Sequence, residues 1–92
     1  MAYLYILHLR DNTHYCGITK NIERRITQHV RGESKSTKYK RPVKIKYVRK
    51  CVNIAMARKE EVKIKRQGVS RWWIKNKNRN DNMIVTKLIG GE

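Results

Sequence analysis

The sequence predicts an α+β domain: a small three-stranded antiparallel sheet flanked by helices, in β-β-α-β-α order with a C-terminal helix or strand. Three observations carry that prediction. Runs rich in aromatic and branched residues at 2–9, 13–18 and 42–52 have the spacing of strands. Two segments, 22–31 and 54–66, have helical spacing and run into glycines at 32 and 68. The connections are short and polar, so the helices pack against the sheet that the strands form. Ninety-two residues support one domain with a small core. No internal repeat divides it.

Taken in order, "AYLYILHL" reads as the first strand, with Tyr3, Tyr5 and Leu7 on one face. "RDN" is a turn and "THYCGI" a second strand. Asn21 can cap the first helix, and Glu23 sits in its first turn, where the helix dipole favours a negative charge. That helix presents Ile22, Ile26 and Val30 as its buried stripe. "GESKSTKYKR" is a basic loop. "PVKIKYVRKCV" alternates, with Val43, Ile45 and Tyr47 against Lys44 and Lys46, and makes the third strand. The second helix follows from about Ile54 to Arg66. "SRWWIKNK" has the composition of a short helix, "NRNDN" of a polar linker, and "MIVTKLI" of a strand or a last helical turn. Adjacent Trp72 and Trp73 suit closing a small core better than stacking on bases.

Lys and Arg number 23 against 7 acidic residues, a net charge of +16. Such an excess favours a polyanionic partner, nucleic acid first and an anionic membrane surface second. No apolar run approaches the roughly 20 residues that span a bilayer. The segment "MAYLYILHLR" lacks the features of a signal peptide, so a cytoplasmic protein is expected. Cys16 and Cys51 are too few for a disulfide framework, and no Cys/His spacing suggests zinc. Both read as reduced thiols. His8 and His14 lack partner motifs and read as strand or turn residues.

A few groups fit packing less easily. On the second helix, Ile54, Ala57 and Ile64 define an apolar stripe, and Glu61 lies inside it while Glu60 points further out. An inward carboxylate needs either an arginine partner or a metal ion. Arg25 and His29 stand one turn apart beside the stripe of the first helix. Gly17, lacking a side chain, permits close approach to the sheet, although a strand-end bulge would use glycine equally well.

The order of these residues resembles the GIY-YIG nuclease family. Tyr3-Leu4-Tyr5 and Tyr15-Cys16-Gly17 stand at its first and second motifs. Ten residues separate Tyr15 from Arg25, and Arg25 and His29 match an Arg-x-x-x-His pattern. Ala57, Glu61, Ile64 and Lys65 match "AxxxExxIK". The likeness covers about residues 2–67, leaving 68–92 as a C-terminal extension of a single 1–92 domain. It is closest to compact members of the excision-repair and homing-nuclease superfamily. Tyr3, Leu4 and Cys16 depart from the usual Gly, Ile and Ile, at interior strand positions. Family members often carry a polar residue after the second helix; Asn76, Asn78, Asn80 and Asn82 compete for that place.

The resemblance implies a metal-dependent DNA endonuclease with catalytic residues Tyr5, Tyr15, Arg25, His29 and Glu61. Glu61 would hold one Mg²⁺ (or Mn²⁺) ion per site, mostly in a shell of water. Arg25 would offer its planar fork to the phosphate, and Tyr15 would act as general base. A free phenol titrates near about 10, so a cation would have to assist Tyr15: Arg25, the metal or His29. Tyr5 would orient Tyr15 or the water. His29 would touch the phosphate or take a proton from Tyr15. Lys35, Lys38, Lys40, Arg41 and Lys65 are the expected nucleic-acid contacts, to double-stranded or branched DNA. The chain would act as a monomer or weak dimer. A non-catalytic nucleic-acid-binding module of the same fold is the alternative, and a small basic ribosome-associated protein a third reading that leaves Glu61 unexplained.

A shared site also constrains the first hairpin. A two-residue loop would put Tyr5 and Tyr15 on opposite faces. A three-residue loop, Arg10-Asp11-Asn12, pairs Leu7 with Tyr15 and Tyr5 with Gly17, which makes the tyrosines diagonal neighbours. That loop asks for a left-handed residue at Asn12.

Overall fold

The computed structural model describes residues 1–86. Three strands, β1 (Ala2–His8), β2 (His14–Thr19) and β3 (Lys44–Cys51), form an antiparallel sheet in the order β2-β1-β3. Helix α1 (Ile22–Arg31) covers one face, and α2 (Ile54–Gln67) and α3 (Val69–Asn76) the other. Single 3-10 turns occupy Lys38–Lys40 and Met83–Thr86. Of the two expectations for residues 83–89, a strand or a last helical turn, the helical turn is found as a 3-10 turn as far as Thr86, and residues 87–89 lie outside the described residues. Among the described residues no helix is long and apolar enough to cross a membrane.

Because β1 is central and covered on both faces, nearly all of it is buried. Leu4 and Ile6 face Cys16, Tyr47, Ile64 and Trp72. Tyr5 and Leu7 face Leu9, Ile22, Ile26 and Val48, with Tyr3 and Tyr15 at the margin. Each such aliphatic side chain contributes about 1.5–3 kcal/mol on burial, and the sheet holds two thin cores rather than one. Trp72 is buried against Tyr47, edge-on with ring centroids 5.4 Å apart, as a core-closing role requires.

The hairpin has the three-residue solution. Leu7 pairs with Tyr15 and Tyr5 with Gly17, and the Leu9 N–H donates to the Thr13 carbonyl at 2.9 Å. Asn12 has φ 68°, the left-handed conformation that the loop demands and that a short amide side chain tolerates.

Two expectations are corrected. Tyr47 does not share a face with Val43 and Ile45. A β-bulge at Lys46 interrupts the alternation, so Ile45 pairs with Leu7 while Tyr47 pairs with Ile6 on the opposite face. Asn82 takes up the backbone groups that the bulge leaves at this sheet edge. Its Nδ2 donates to the Lys46 carbonyl at 2.9 Å, and the Val48 N–H donates to its Oδ1 at 3.1 Å. Val30 is 57% exposed, and His29 takes its place in the buried stripe of α1. Seven residues at about 100° each return to the azimuth of Ile22, whereas eight overshoot it. Within the basic loop, Ser34 and Thr37 are buried.

Candidate active site

Helix α1 sets the position of two of the side chains. The Asn21 side chain accepts from the Arg24 N–H at 3.0 Å and fixes where the helix begins. Gly32, at φ 81°, ends it in a left-handed turn and sends the chain back over the sheet. The returning loop brings Ser34 and Thr37 onto Arg25 and His29.

Arg25 is held at three of its nitrogens. Nε donates to Tyr5 Oη at 3.3 Å, Nη1 to Gln28 Oε1 at 2.9 Å, and Nη2 to Ser34 Oγ at 3.3 Å. Five N–H groups less three leave one on each terminal nitrogen, the pair that would meet two oxygens of a phosphate. Fixing the fork beforehand removes the rotamer entropy that a free arginine would lose on binding. Both tyrosine phenols interact with this guanidinium.

His29 is 0% exposed. One ring nitrogen lies 2.8 Å from Tyr5 Oη and the other 2.7 Å from Thr37 Oγ1. Burial, reinforced by the Arg25 charge, pushes its pKa down to about 4, so the ring is neutral at pH 7. A neutral imidazole has one N–H and one lone pair, which bridges two hydroxyls without excess charge. With no exposed surface, His29 cannot touch a phosphate; it supports Tyr5. Tyr5 is likewise fully buried, and burial holds its phenol far above the ordinary range despite the opposing hydrogen bond from Arg25. It is a hydrogen-bonding strut between Arg25 and His29. Tyr15 is different: it is half-exposed, its ring 6.3 Å from that of Tyr5 and 5.3 Å from that of His29. Of the two tyrosines, Tyr15 alone faces solvent.

Gly17 has a definite task. A Cβ built there would lie 2.5 Å from Tyr5 Cζ, so the bare backbone is what lets the Tyr5 ring cross over β2 toward His29.

Glu61 lies apart from this group. It projects from α2 on the other face of the sheet, beside Cys16, whose thiol burial and then the Glu61 carboxylate push up to about 12. Its side chain is 16% exposed and pairs with Lys65, one turn on, at 3.2 Å. Tyr15 and Cys16 are consecutive on β2, an edge strand, so the two faces meet around that edge. Among the described residues no three His, Cys, Asp or Glu side chains converge to hold a metal. One carboxylate suits a hard ion that keeps most of its water, such as Mg²⁺, and does not suit zinc. Glu60 instead pairs with Arg49 at 2.9 Å and Lys63 at 3.7 Å.

The loop cations Lys35, Lys38, Lys40 and Arg41 are all exposed. Lys40 pairs with Asp11 of the hairpin turn at 3.5 Å, and the Arg10 N–H donates to the Lys40 carbonyl at 3.0 Å. The loop therefore sits against the hairpin end, beside Arg25. Gln28, Ser34 and Thr37 were not anticipated as parts of the site. The sequence signals for them are the i, i+3 spacing of Gln28 from Arg25 on α1 and a pair of hydroxyls three residues apart in a lysine-rich loop. As for the Asn candidates, Asn82 braces β3 and Asn76 donates to the Trp72 carbonyl at 2.7 Å.

Comparison with known proteins agrees with this geometry. A UPF0213 protein of Oceanobacillus iheyensis is 41% identical over 64 residues, 68% of this chain and 74% of that one. A UPF0213 protein of Nitratidesulfovibrio vulgaris is 39% identical over 66 residues, 71% of this chain and 60% of that one. The solution NMR structure of a UPF0213 protein from Bacillus halodurans shares the fold, with a TM-score of 0.53 and 26% identity over 97% of this chain and 98% of that one. The sequence profile of the GIY-YIG catalytic domain matches residues 1–82, further than the motifs alone extend. A three-stranded β2-β1-β3 sheet that gathers Tyr5, Tyr15, Arg25 and His29 beneath one loop is accordingly that of a nuclease-type fold, and the chain belongs to the GIY-YIG family.

Proposed function

We propose that this protein is a metal-dependent endonuclease that hydrolyses phosphodiester bonds in DNA. The observation that carries the reading is the Arg25 guanidinium, fixed by Tyr5, Gln28 and Ser34 beside an accessible Tyr15. Among the described residues Arg25 makes no ion pair; it is held by neutral acceptors that keep its charge for an incoming anion.

In this mechanism Tyr15 removes the proton from the attacking water, and the Arg25 fork binds the non-bridging oxygens as negative charge grows on them. Tyr5, His29 and Thr37 are positioning residues that hold Arg25 and the loop. A divalent ion held by Glu61 would supply positive charge for the departing 3′ oxygen. The products are a 5′-phosphate and a 3′-hydroxyl.

The test is incubation of supercoiled plasmid with the purified protein, with and without Mg²⁺. Nicking is expected only with the metal. Glu61→Gln should abolish nicking and keep DNA binding, because it removes one charge at nearly constant volume. Glu60→Gln, which keeps an acceptor for Arg49, should stay active. If wild-type protein binds DNA but never nicks it, the non-catalytic binding module of the same fold replaces this reading.

A further inference from the structure

On the face of the sheet opposite Tyr5 and Arg25, a cleft of about 510 Å³ opens where the hairpin end meets the junction of α2 and α3. Thr13, His14, Lys65, Arg66, Ser70 and Arg71 contribute to its walls, and among the described residues no carboxylate does. Among the described residues, neither Arg66 nor Arg71 makes an ion pair or a side-chain hydrogen bond, and both are exposed. His14 is hydrogen-bonded to Ser70 at 2.7 Å; burial, His8 and Lys46 push its pKa down, so it adds polarity rather than charge. Lys65 has Glu61 as its partner, but among the described residues no anion pairs with Arg66 or Arg71. Those cations carry the inference.

Its location says which anion. His14, Tyr15 and Cys16 are consecutive on β2, so the cleft lies one residue from the proposed base and, through the Lys65–Glu61 pair, one helical turn from the proposed metal carboxylate. The loop of Lys35, Lys38, Lys40 and Arg41 flanks the same hairpin end on the other face. A strand crossing the edge at Tyr15 would meet the loop on one side and the cleft on the other. We propose that this cleft binds an internucleotide phosphate next to the scissile one, with Arg66, Arg71 and Lys65 as its ligands. The placement next to the cut rests on the nuclease reading; the binding of a nucleic-acid phosphate does not.

The test is fluorescence polarisation with a labelled DNA duplex in EDTA, where turnover plays no part, across a range of NaCl concentrations. Arg66→Gln/Arg71→Gln should bind more weakly, and its log affinity against log salt should be shallower by about 0.9, the increment for one phosphate contact. Lys50→Gln/Lys59→Gln, equal in charge and outside the cleft, should keep the wild-type slope. An unchanged slope in the first variant, or an equal loss in both, overturns the proposal. Amide shifts in ¹⁵N-labelled wild-type protein identify the ligand's source. Movement of residues 68–71 with duplex supports it, and movement with inorganic phosphate alone, the duplex leaving them unmoved, overturns it. Plasmid nicking, assayed separately, reports on the nuclease reading without bearing on either result.

Discussion

At the scale of the residue, the two tyrosines of the site have different jobs, and removing each hydroxyl should show it. Tyr5→Phe strips a partner from both Arg25 Nε and the buried His29 ring. It should cost about 1–3 kcal/mol of stability, read by urea denaturation. Tyr15→Phe should leave stability nearly unchanged and cut nicking by on the order of 10²-fold or more. Equal stability losses in the two variants would show that the division into strut and base is mistaken. Arg25→Lys should lose a similar factor, since one ammonium cannot hold three acceptors and still present a fork. His29 adds a pH signature. Its folded pKa of about 4 lies below the ordinary value of 6.5, so the unfolded chain binds the proton more tightly. The stability this represents is complete above pH 6.5 and is lost as pH falls toward 4, by at most on the order of 3 kcal/mol. Thermal melts of the wild type should therefore fall more steeply over that window than those of His29→Gln. Parallel curves would mean that the imidazole is readily protonated in the folded state.

At the scale of the element, β1 and β2 form the hairpin that brings Tyr5 and Tyr15 to one face, and two small features maintain it. Gly17→Ala would push a methyl into the Tyr5 ring, displacing it from His29 and costing about 1–3 kcal/mol. Asn12→Ala would place a β-carbon at φ 68° and cost about 1 kcal/mol, while Asn12→Gly should be tolerated. At the opposite edge, Asn82 substitutes for a missing strand partner of β3. Asn82→Ala forfeits three hydrogen bonds, two of them to β3, and should lower stability by about 1–3 kcal/mol without touching the site. Nicking by Asn82→Ala at wild-type rates, under conditions where it remains folded, would confirm that the 79–84 segment is a brace. The ion pairs of Asp81 with Arg79 and Arg49 belong to the same brace.

At the scale of the whole molecule, a net charge of +16 dominates the encounter with DNA. Affinity should fall steeply with salt, with a slope reflecting several phosphate contacts, whereas nicking under saturating protein should respond far less. A nearly salt-independent affinity would count against the electrostatic reading altogether. With so small a domain, discrimination between sequences should be weak, because phosphate contacts position a duplex without reading it.

The order of elements, the helix caps at Asn21 and Gly32, and the hairpin register were legible in the sequence. Each depends on residues close together along the chain, where periodicity, capping and turn geometry act directly. The motif order that marks the family was legible for the same reason. Tertiary structure alone decided the face of Tyr47, which follows from an extra residue in a ladder rather than from alternation. Helical azimuth turns His29 rather than Val30 inward, but tertiary structure supplies its partner, since loop 32–41 folds back over α1 and brings Thr37 to the buried ring nitrogen. Gln28 meets Arg25 within one helix, whereas Thr37 reaches His29 and Ser34 reaches Arg25 from the returning loop, and Glu61 is placed on the opposite face by the packing of α2. No local pattern encodes those contacts, because they arise where separate elements pack and each polar group takes whichever partner packing delivers.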